Sequence, residues 1–129
     1  MDFQKSRKRR RKTELFGDSK KKSLEKFKKE IRTGIYAYLI LSFLSRERSH
    51  GYAIKKALEE VSDGKFVPSE STLYGILKTL EKHELIKGEW METGGRPRKC
   101  YTITLNGEEV LKELKKEINL VKELLENHS

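Results

Sequence analysis

The chain has 129 residues, of which 38% are charged and 35% hydrophobic, so it can form one modest core and is short for two ordinary domains. Its single cysteine, Cys100, excludes an intrachain disulfide and favours a reducing, cytoplasmic location. The most apolar run, Ile35 to Leu44, has about half the length of a membrane span, so we expect a buried core helix there.

The net charge of +9 is concentrated at the N-terminus. The first 32 residues contain 14 lysines and arginines against 5 acids, and the remaining chain contains 15 of each. Like charges repel and apolar periodicity is almost absent, which predicts that residues 1–32 form a basic, disordered arm with a possible short helix in SLEKFKKEI. The arm is open to two interpretations, a solubilising tail or a nucleic-acid grip through a cluster of cations: Arg7, Lys8, Arg9, Arg10, Arg11 and Lys12.

Three helices are predicted next, within a domain spanning residues 33–105. The first runs from Thr33 or Gly34 to Ser45, and its aromatic residues Tyr36, Tyr38 and Phe43 are expected in the core. The second begins at Ser49 or His50 and ends near Gly64. Its helical spacing predicts one apolar face, made of Ile54, Ala57, Leu58 and Val61.

The third helix has two contrasting faces. Ser69 or Ser71 can cap it, and one face repeats an apolar pattern of Leu73, Ile76, Leu77 and Leu80. The other face is small, hydroxylated, aromatic or cationic, with no acid before Glu81: Ser71, Thr72, Tyr74, Gly75 and Lys78. A helix surface of this kind suits the major groove of duplex DNA.

A β-hairpin is predicted from the stretches LIKGEWME and KCYTITL, joined by TGGRPR. This connection brings the cations Arg96, Arg98 and Lys99 together, where they are placed to hold phosphates. Residues 106–129 then form a long helix whose apolar positions step by 3, 4, 3 and 4, as in a heptad seam: Leu111, Leu114, Ile118, Val121 and Leu125. We favour a symmetric dimer over packing of the seam on its own domain.

The predicted fold class is therefore mainly α with a small β-hairpin, a winged helix-turn-helix with a long C-terminal dimerisation helix. The segments HGY, TLY and GRPRKCYTIT make the chain resemble the PadR family of transcriptional regulators over about residues 33–111. The resemblance implies a homodimeric, repressor-like protein of the branch with a short C-terminal region. Two features depart from the family pattern, namely Glu84, where glycine is usual, and the basic arm.

Catalytic and metal chemistry find no support in the pattern. His50, His83 and His128 have no partners at metal-ligand spacing, and His50 is expected to be structural, at the start of the second helix. Cys100 is interpreted as a small strand residue in preference to a redox sensor. We predict no enzyme activity, no cofactor and no metal, and the residues do not identify a small-molecule effector.

The function predicted is sequence-specific binding of double-stranded DNA by a homodimer, in a regulator that represses transcription. Two alternatives stay open: an RNA-binding or ribosome-associated winged helix, favoured by the basic arm, and a winged helix that binds another protein. The cationic hairpin argues against the second alternative, which favours an acidic or apolar wing.

Overall fold

The computed structural model describes residues 2–128, with side chains for residues 17–92 and 94–128. Its elements in chain order are α1 (Asp2–Arg46), β1 (Ser49–His50), α2 (Gly51–Ser62), α3 (Glu70–Lys82), β2 (Ile86–Thr93), β3 (Arg96–Ile103) and α4 (Leu105–His128). The strands form one antiparallel sheet in the order β1-β3-β2. This is the predicted fold class, a mainly helical winged helix-turn-helix. The chain divides into two compact units, Met1–Thr33 and Gly34–Ser129.

The first unit differs from the prediction of a disordered arm. Residues 2–32 are helical as part of α1. The sequence of the arm contains no proline, and it places acids four residues before lysines, as in Asp18 and Lys22 or Glu25 and Lys29. Such spacing stabilises a helix and offsets part of the repulsion between the lysines. The side chains of the cationic cluster lie outside the described residues: Arg7, Lys8, Arg9, Arg10, Arg11 and Lys12.

The core of the second unit lies among α1, α2, α3 and the sheet. All four apolar residues predicted for α3 are buried, and they meet Ile54 and Leu58 of α2 and Tyr36 of α1. Phe43 is half-buried against this core, and Tyr38 is partly buried. Val61 was expected on the apolar face of α2 but is 65% exposed, and it lies in the last turn of that helix.

The wing is a tight hairpin. Strands β2 and β3 pair from Ile86 opposite Ile103 to Thr93 opposite Arg96, so only Gly94 and Gly95 form the turn. Both glycines have positive φ, 61° and 80°, which is the backbone that a two-residue hairpin turn with right-handed strand twist requires. The connection is thus shorter than predicted, since Arg96, Pro97 and Arg98 belong to β3.

Two helix ends adopt left-handed caps. Glu84 has φ 59°, its amide donates to the carbonyl of Glu81, and the amide of Leu85 donates to the carbonyl of Leu80. This is the Schellman arrangement, in a position where glycine is preferred. Helix α2 ends in the same way at Asp63, φ 54°, one residue before the predicted Gly64.

Helix α4 packs on the winged helix through its first half only. Gly107 is buried so closely against the backbone carbonyl of Leu85 that a Cβ atom would collide with it. Leu111 and Leu114 pack against the core of their own unit. No helix in the described part of the chain is long and apolar enough to cross a membrane.

Candidate nucleic-acid interface

The exposed face of α3 carries the side chains predicted for the major groove. Ser69 caps the helix, its Oγ accepting a hydrogen bond from the amide of Thr72 at 3.2 Å. Thr72 is half-buried, whereas the other four predicted residues are exposed: Ser71, Tyr74, Gly75 and Lys78. The helix therefore separates an apolar core face from a polar, cationic outer face.

The three predicted wing cations have different surroundings. Arg96 and Arg98 are exposed on β3, and the described side chains place no carboxylate in an ion pair with either. Lys99 instead donates from Nζ to Oε1 of Glu81 on α3 at 2.9 Å, in a half-buried ion pair. Arg96 and Arg98 are thus the wing cations available to an external anion.

The Lys99–Glu81 pair joins the wing to the end of α3. The hydrogen bond that Lys99 donates to Glu81, opposed by partial burial, raises the pKa of Lys99 above its ordinary value of 10.5. Gly88 on β2 makes room for the pair, because a Cβ there would collide with Cε of Lys99 and lie 3.1 Å from Oε2 of Glu81. Glu81 was not among the site residues predicted from the sequence. Its position as the first acid after the basic face of α3 is the feature that could have indicated a partner for a wing cation.

His50 links α2 to the wing. Its Nδ1 accepts the amide of Ala53 at 3.3 Å and so caps α2, as the structural role predicted for it requires. Its backbone pairs with Cys100 in the sheet, and its Nε2 lies 3.2 Å from Nη1 of Arg98. Helix α2 therefore begins against β3, the strand that carries the wing cations.

Two exposed aromatic residues beside this contact were missing from the predicted site. Tyr52 on α2 is 66% exposed and Trp90 on β2 is 71% exposed, on the side of the molecule where Tyr74 of α3 also lies. Their signal in the sequence was aromatic residues on positions outside the apolar periodicity.

The predicted dimer seam divides into two parts. Leu111 and Leu114 contact the core of their own unit, and Ile118 is half-buried. Beyond it, α4 exposes a cluster of apolar residues, each about half accessible: Leu120, Val121, Leu124 and Leu125. The distal part of the seam is therefore the part that a second chain can cover.

The described residues contain no group of three or more histidine, cysteine, aspartate or glutamate side chains that could hold a metal ion. Cys100 is half-buried in β3, opposite His50 of β1 and Glu89 of β2.

Comparison with known proteins agrees with this geometry. Residues 40–113 match the transcriptional regulator PadR-like family. A transcriptional regulator from Clostridium thermocellum superposes with a TM-score of 0.73 at 31% identity, covering 77% of this chain and 97% of that chain. A PadR family transcriptional regulator from Eggerthella lenta gives a TM-score of 0.69 at 30% identity, covering 84% and 94%.

Curated relatives agree as well. The transcriptional regulator YqjI of Escherichia coli is 33% identical over 85 residues, which are 66% of this chain and 40% of that protein. The chain thus spans less than half the length of YqjI. A Lysinibacillus sphaericus protein named only as uncharacterized protein X is 34% identical over 68% of this chain and 82% of its own. With a family match over more than half its length and a winged helix-turn-helix fold, this chain belongs to the PadR-like family of transcriptional regulators.

Proposed function

We propose that the protein is a repressor that binds a two-fold symmetric site on double-stranded DNA as a homodimer in the cytoplasm. Helix α3 enters the major groove with Ser71, Thr72, Tyr74, Gly75 and Lys78. Arg96 and Arg98 hold backbone phosphates from the wing, and the cluster Arg7–Lys12 adds an electrostatic grip. The sequence pattern placed Lys99 among the phosphate contacts, and its ion pair with Glu81 now favours a positioning role.

One observation carries this proposal: the wing and the polar face of α3 are tied together by the Lys99–Glu81 pair at 2.9 Å. Two surfaces that carry cations and hydroxyl groups are thereby held in one fixed relation. A duplex presents a groove flanked by phosphates at a fixed distance, so a rigid pair of contacts suits it.

Selection of duplexes from a random pool by the purified chain tests the proposal. We expect enrichment of a palindrome whose half-sites are roughly 34 Å apart, one turn of B-DNA, because a symmetric reader meets two major grooves on one side of the duplex. Competition by structured RNA at matched salt distinguishes the RNA-binding alternative. Equal affinity for the selected duplex, random duplexes and RNA contradicts the proposal.

The homodimer is supported by the apolar cluster that α4 exposes beyond Ile118, which includes the seam residues Val121 and Leu125. Leu120, Val121, Leu124 and Leu125 are 46–61% exposed on a helix that has already packed Leu111 and Leu114 on its own domain. Contiguous apolar surface of this kind marks an interaction site, and helix pairing about a two-fold axis buries it on both copies. Light scattering should give twice the chain mass of 15.1 kDa.

A further inference from the structure

A cavity of about 370 Å³ lies between the wing, the start of α2 and helix α3. The residues that line it come from three elements. They are His50, the N-cap of α2, and Tyr52 of α2, then Tyr74 of α3, and Trp90 and Arg98 of the wing. The dimer seam does not reach it, and Tyr74 is the one residue of the predicted major-groove face that lines it. Its position beside the proposed recognition helix places it next to bound DNA.

Three aromatic rings line this cavity and face solvent. Tyr52 is 66%, Tyr74 49% and Trp90 71% exposed, whereas the buried aromatics Tyr36 and Tyr101 are 4% and 5% exposed. Exposed rings of this size around a concave surface are characteristic of a binding site, because each ring gains stability when a ligand covers it.

Gly51 gives the cavity its shape. A Cβ atom at this buried position would lie 2.7 Å from the hydroxyl oxygen of Tyr74 and 2.8 Å from its ring carbon Cε1. Glycine therefore lets the ring of Tyr74 approach the first turn of α2. The cavity is built around this contact, with the positive end of a 12-residue helix at its edge.

The polar groups of the cavity need an acceptor. Nδ1 of His50 accepts the amide of Ala53, so the neutral ring carries its proton on Nε2. Nε2 then donates, and at 3.2 Å it faces Nη1 of Arg98, which can only donate. Two donors at this distance do not satisfy each other. An anionic oxygen beside the pair, within hydrogen-bond distance of both nitrogens, could accept from each of them.

We propose that this cavity binds one phosphodiester group of the DNA backbone together with its deoxyribose. Nε2 of His50 and the guanidinium of Arg98 donate to the phosphate, and the rings of Tyr52, Tyr74 and Trp90 pack around the sugar. The proposal rests on the proposed DNA binding. It adds His50, Tyr52 and Trp90 to the interface, and it assigns Tyr74 to the sugar instead of to a base edge. Free phosphate offers the same oxygen chemistry, and the rings favour the backbone because only the backbone carries a sugar.

Trp90 reports on the cavity directly because it is the single tryptophan of the chain. The full-length protein is titrated with a fluorescein-labelled selected duplex, and dye anisotropy and tryptophan emission are followed together. A parallel titration uses inorganic phosphate at the same ionic strength. We expect tryptophan emission to change with the same midpoint as anisotropy, and phosphate alone to leave it unchanged.

The outcomes separate the two proposals. No anisotropy change refutes DNA binding and the cavity assignment with it. Anisotropy without a Trp90 response refutes the cavity assignment alone. A saturating response to inorganic phosphate alone assigns the cavity to a small anion and overturns the backbone assignment.

A second measurement identifies the phosphate. In a series of duplexes, one phosphate of each half-site is replaced by a neutral methylphosphonate at a different position, and the affinity of the wild-type protein for each duplex is measured. At the position that occupies the cavity we expect the affinity to fall roughly tenfold, as loss of a charge-assisted hydrogen bond predicts. In the Arg98→Ala variant, a methylphosphonate at this position should reduce the affinity little further. The matched control Arg96→Ala removes the same charge from the same strand outside the cavity, and it should keep the full tenfold effect.

His50→Asn tests the second donor, since asparagine preserves a helix cap while withdrawing Nε2. Circular dichroism establishes that each variant is folded. We expect His50→Asn to reduce the methylphosphonate effect at the same position as Arg98→Ala does. A methylphosphonate effect that is unchanged in both variants overturns the proposal.

Discussion

Glu84 illustrates how a single backbone angle determines what a position can tolerate. Its φ of 59° closes the end of α3, and its carbonyl accepts the hydroxyl of Thr104 at 2.7 Å. Both contacts use backbone atoms of Glu84, so the side chain is dispensable for them. The left-handed conformation costs a residue with a Cβ about 1 kcal/mol, which glycine avoids.

We therefore expect Glu84→Gly to raise the free energy of unfolding by up to about 1 kcal/mol, measured by urea denaturation. Glu84→Ala is the matched control, because it removes the carboxylate and keeps the Cβ. It should give no such gain. Equal stabilisation by both variants would mean that the charge of Glu84, and not its backbone conformation, is unfavourable.

The raised pKa of Lys99 predicts that the stability of the fold depends on pH in the alkaline range. Its pKa is raised above 10.5 by the hydrogen bond to Glu81, so the folded protein holds a proton that the unfolded chain releases. Burial also raises the pKa of Tyr101 above 10.0. Both contributions are complete below the unfolded values and are lost as pH rises through the folded ones. Stability should therefore decline above about pH 10.

Thermal melts of Lys99→Met across this range should show lower stability at neutral pH and a shallower alkaline decline. Lys87→Met is the control, since Lys87 also pairs with a carboxylate, Glu89, but both side chains are more than 60% exposed. A solvated pair contributes little. Identical alkaline profiles for the wild type and Lys99→Met would refute the role given to the Lys99–Glu81 pair.

At the scale of elements, the junction of α4 with the wing depends on Gly107. The N-terminal turn of α4 touches the backbone at Leu85, which cannot move aside as a flexible side chain can. Gly107→Ala should therefore lower the free energy of unfolding by about 1 to 3 kcal/mol, the usual cost of overpacking. Chemical denaturation measures this loss.

Gly75 provides the contrast, because it lies in a helix with open space around its Cβ position. Gly75→Ala should stabilise the fold by up to about 1 kcal/mol through helix propensity. If both alanine variants change stability by the same amount, the close approach at Gly107 is not what fixes α4.

Elements with apolar periodicity were predictable, and contacts between elements were not. The four buried residues of α3 follow from local spacing, which also narrowed its cap to Ser69 or Ser71, of which Ser69 is the cap. Strand β1 has two residues, too few to show a pattern. The Lys99–Glu81 pair joins residues 18 apart, and the His50–Arg98 contact joins residues 48 apart. Such contacts depend on sheet register and packing, which a single sequence does not encode locally.

The basic arm exposes a different limit. Composition and like charge suggested disorder, whereas residues 2–32 are helical, in keeping with the acids Asp18 and Glu25 that precede lysines by four residues. A prediction from composition depends on the number of cations and takes no account of acids placed one helical turn before them, which stabilise a helix.

At the scale of the whole molecule, we expect the proposed dimer to determine the affinity for a palindromic site. Ile118→Glu with Val121→Glu places charge in the distal seam and should give monomers that bind the selected duplex weakly. Asn119→Glu with Lys112→Gln changes the net charge by the same amount on the opposite, exposed face of α4 and should remain dimeric. Sedimentation measures both, and an unchanged mass for the first variant would contradict the dimer.

Removal of residues 1–22 tests the arm. We expect weaker binding to all duplexes alike, with the slope of log K against log salt reduced by about 0.9 for each phosphate that the shortened protein no longer neutralises. Lys78→Ala is the contrasting variant, since it should narrow the difference between the selected and random duplexes by about 1 to 3 kcal/mol if Lys78 contacts a base edge. An arm deletion that leaves affinity and slope unchanged would remove residues 1–22 from the interface.

The two faces of α3 also bear on how such a regulator diversifies. Leu73, Ile76, Leu77 and Leu80 are at most 8% exposed and hold the fold, whereas the residues proposed to read DNA lie on the other face. Substitutions on the outer face leave the core packing unchanged, so their effects on folding are expected to be small. A duplicated copy can therefore acquire a new operator by surface changes alone, without first acquiring extra stability.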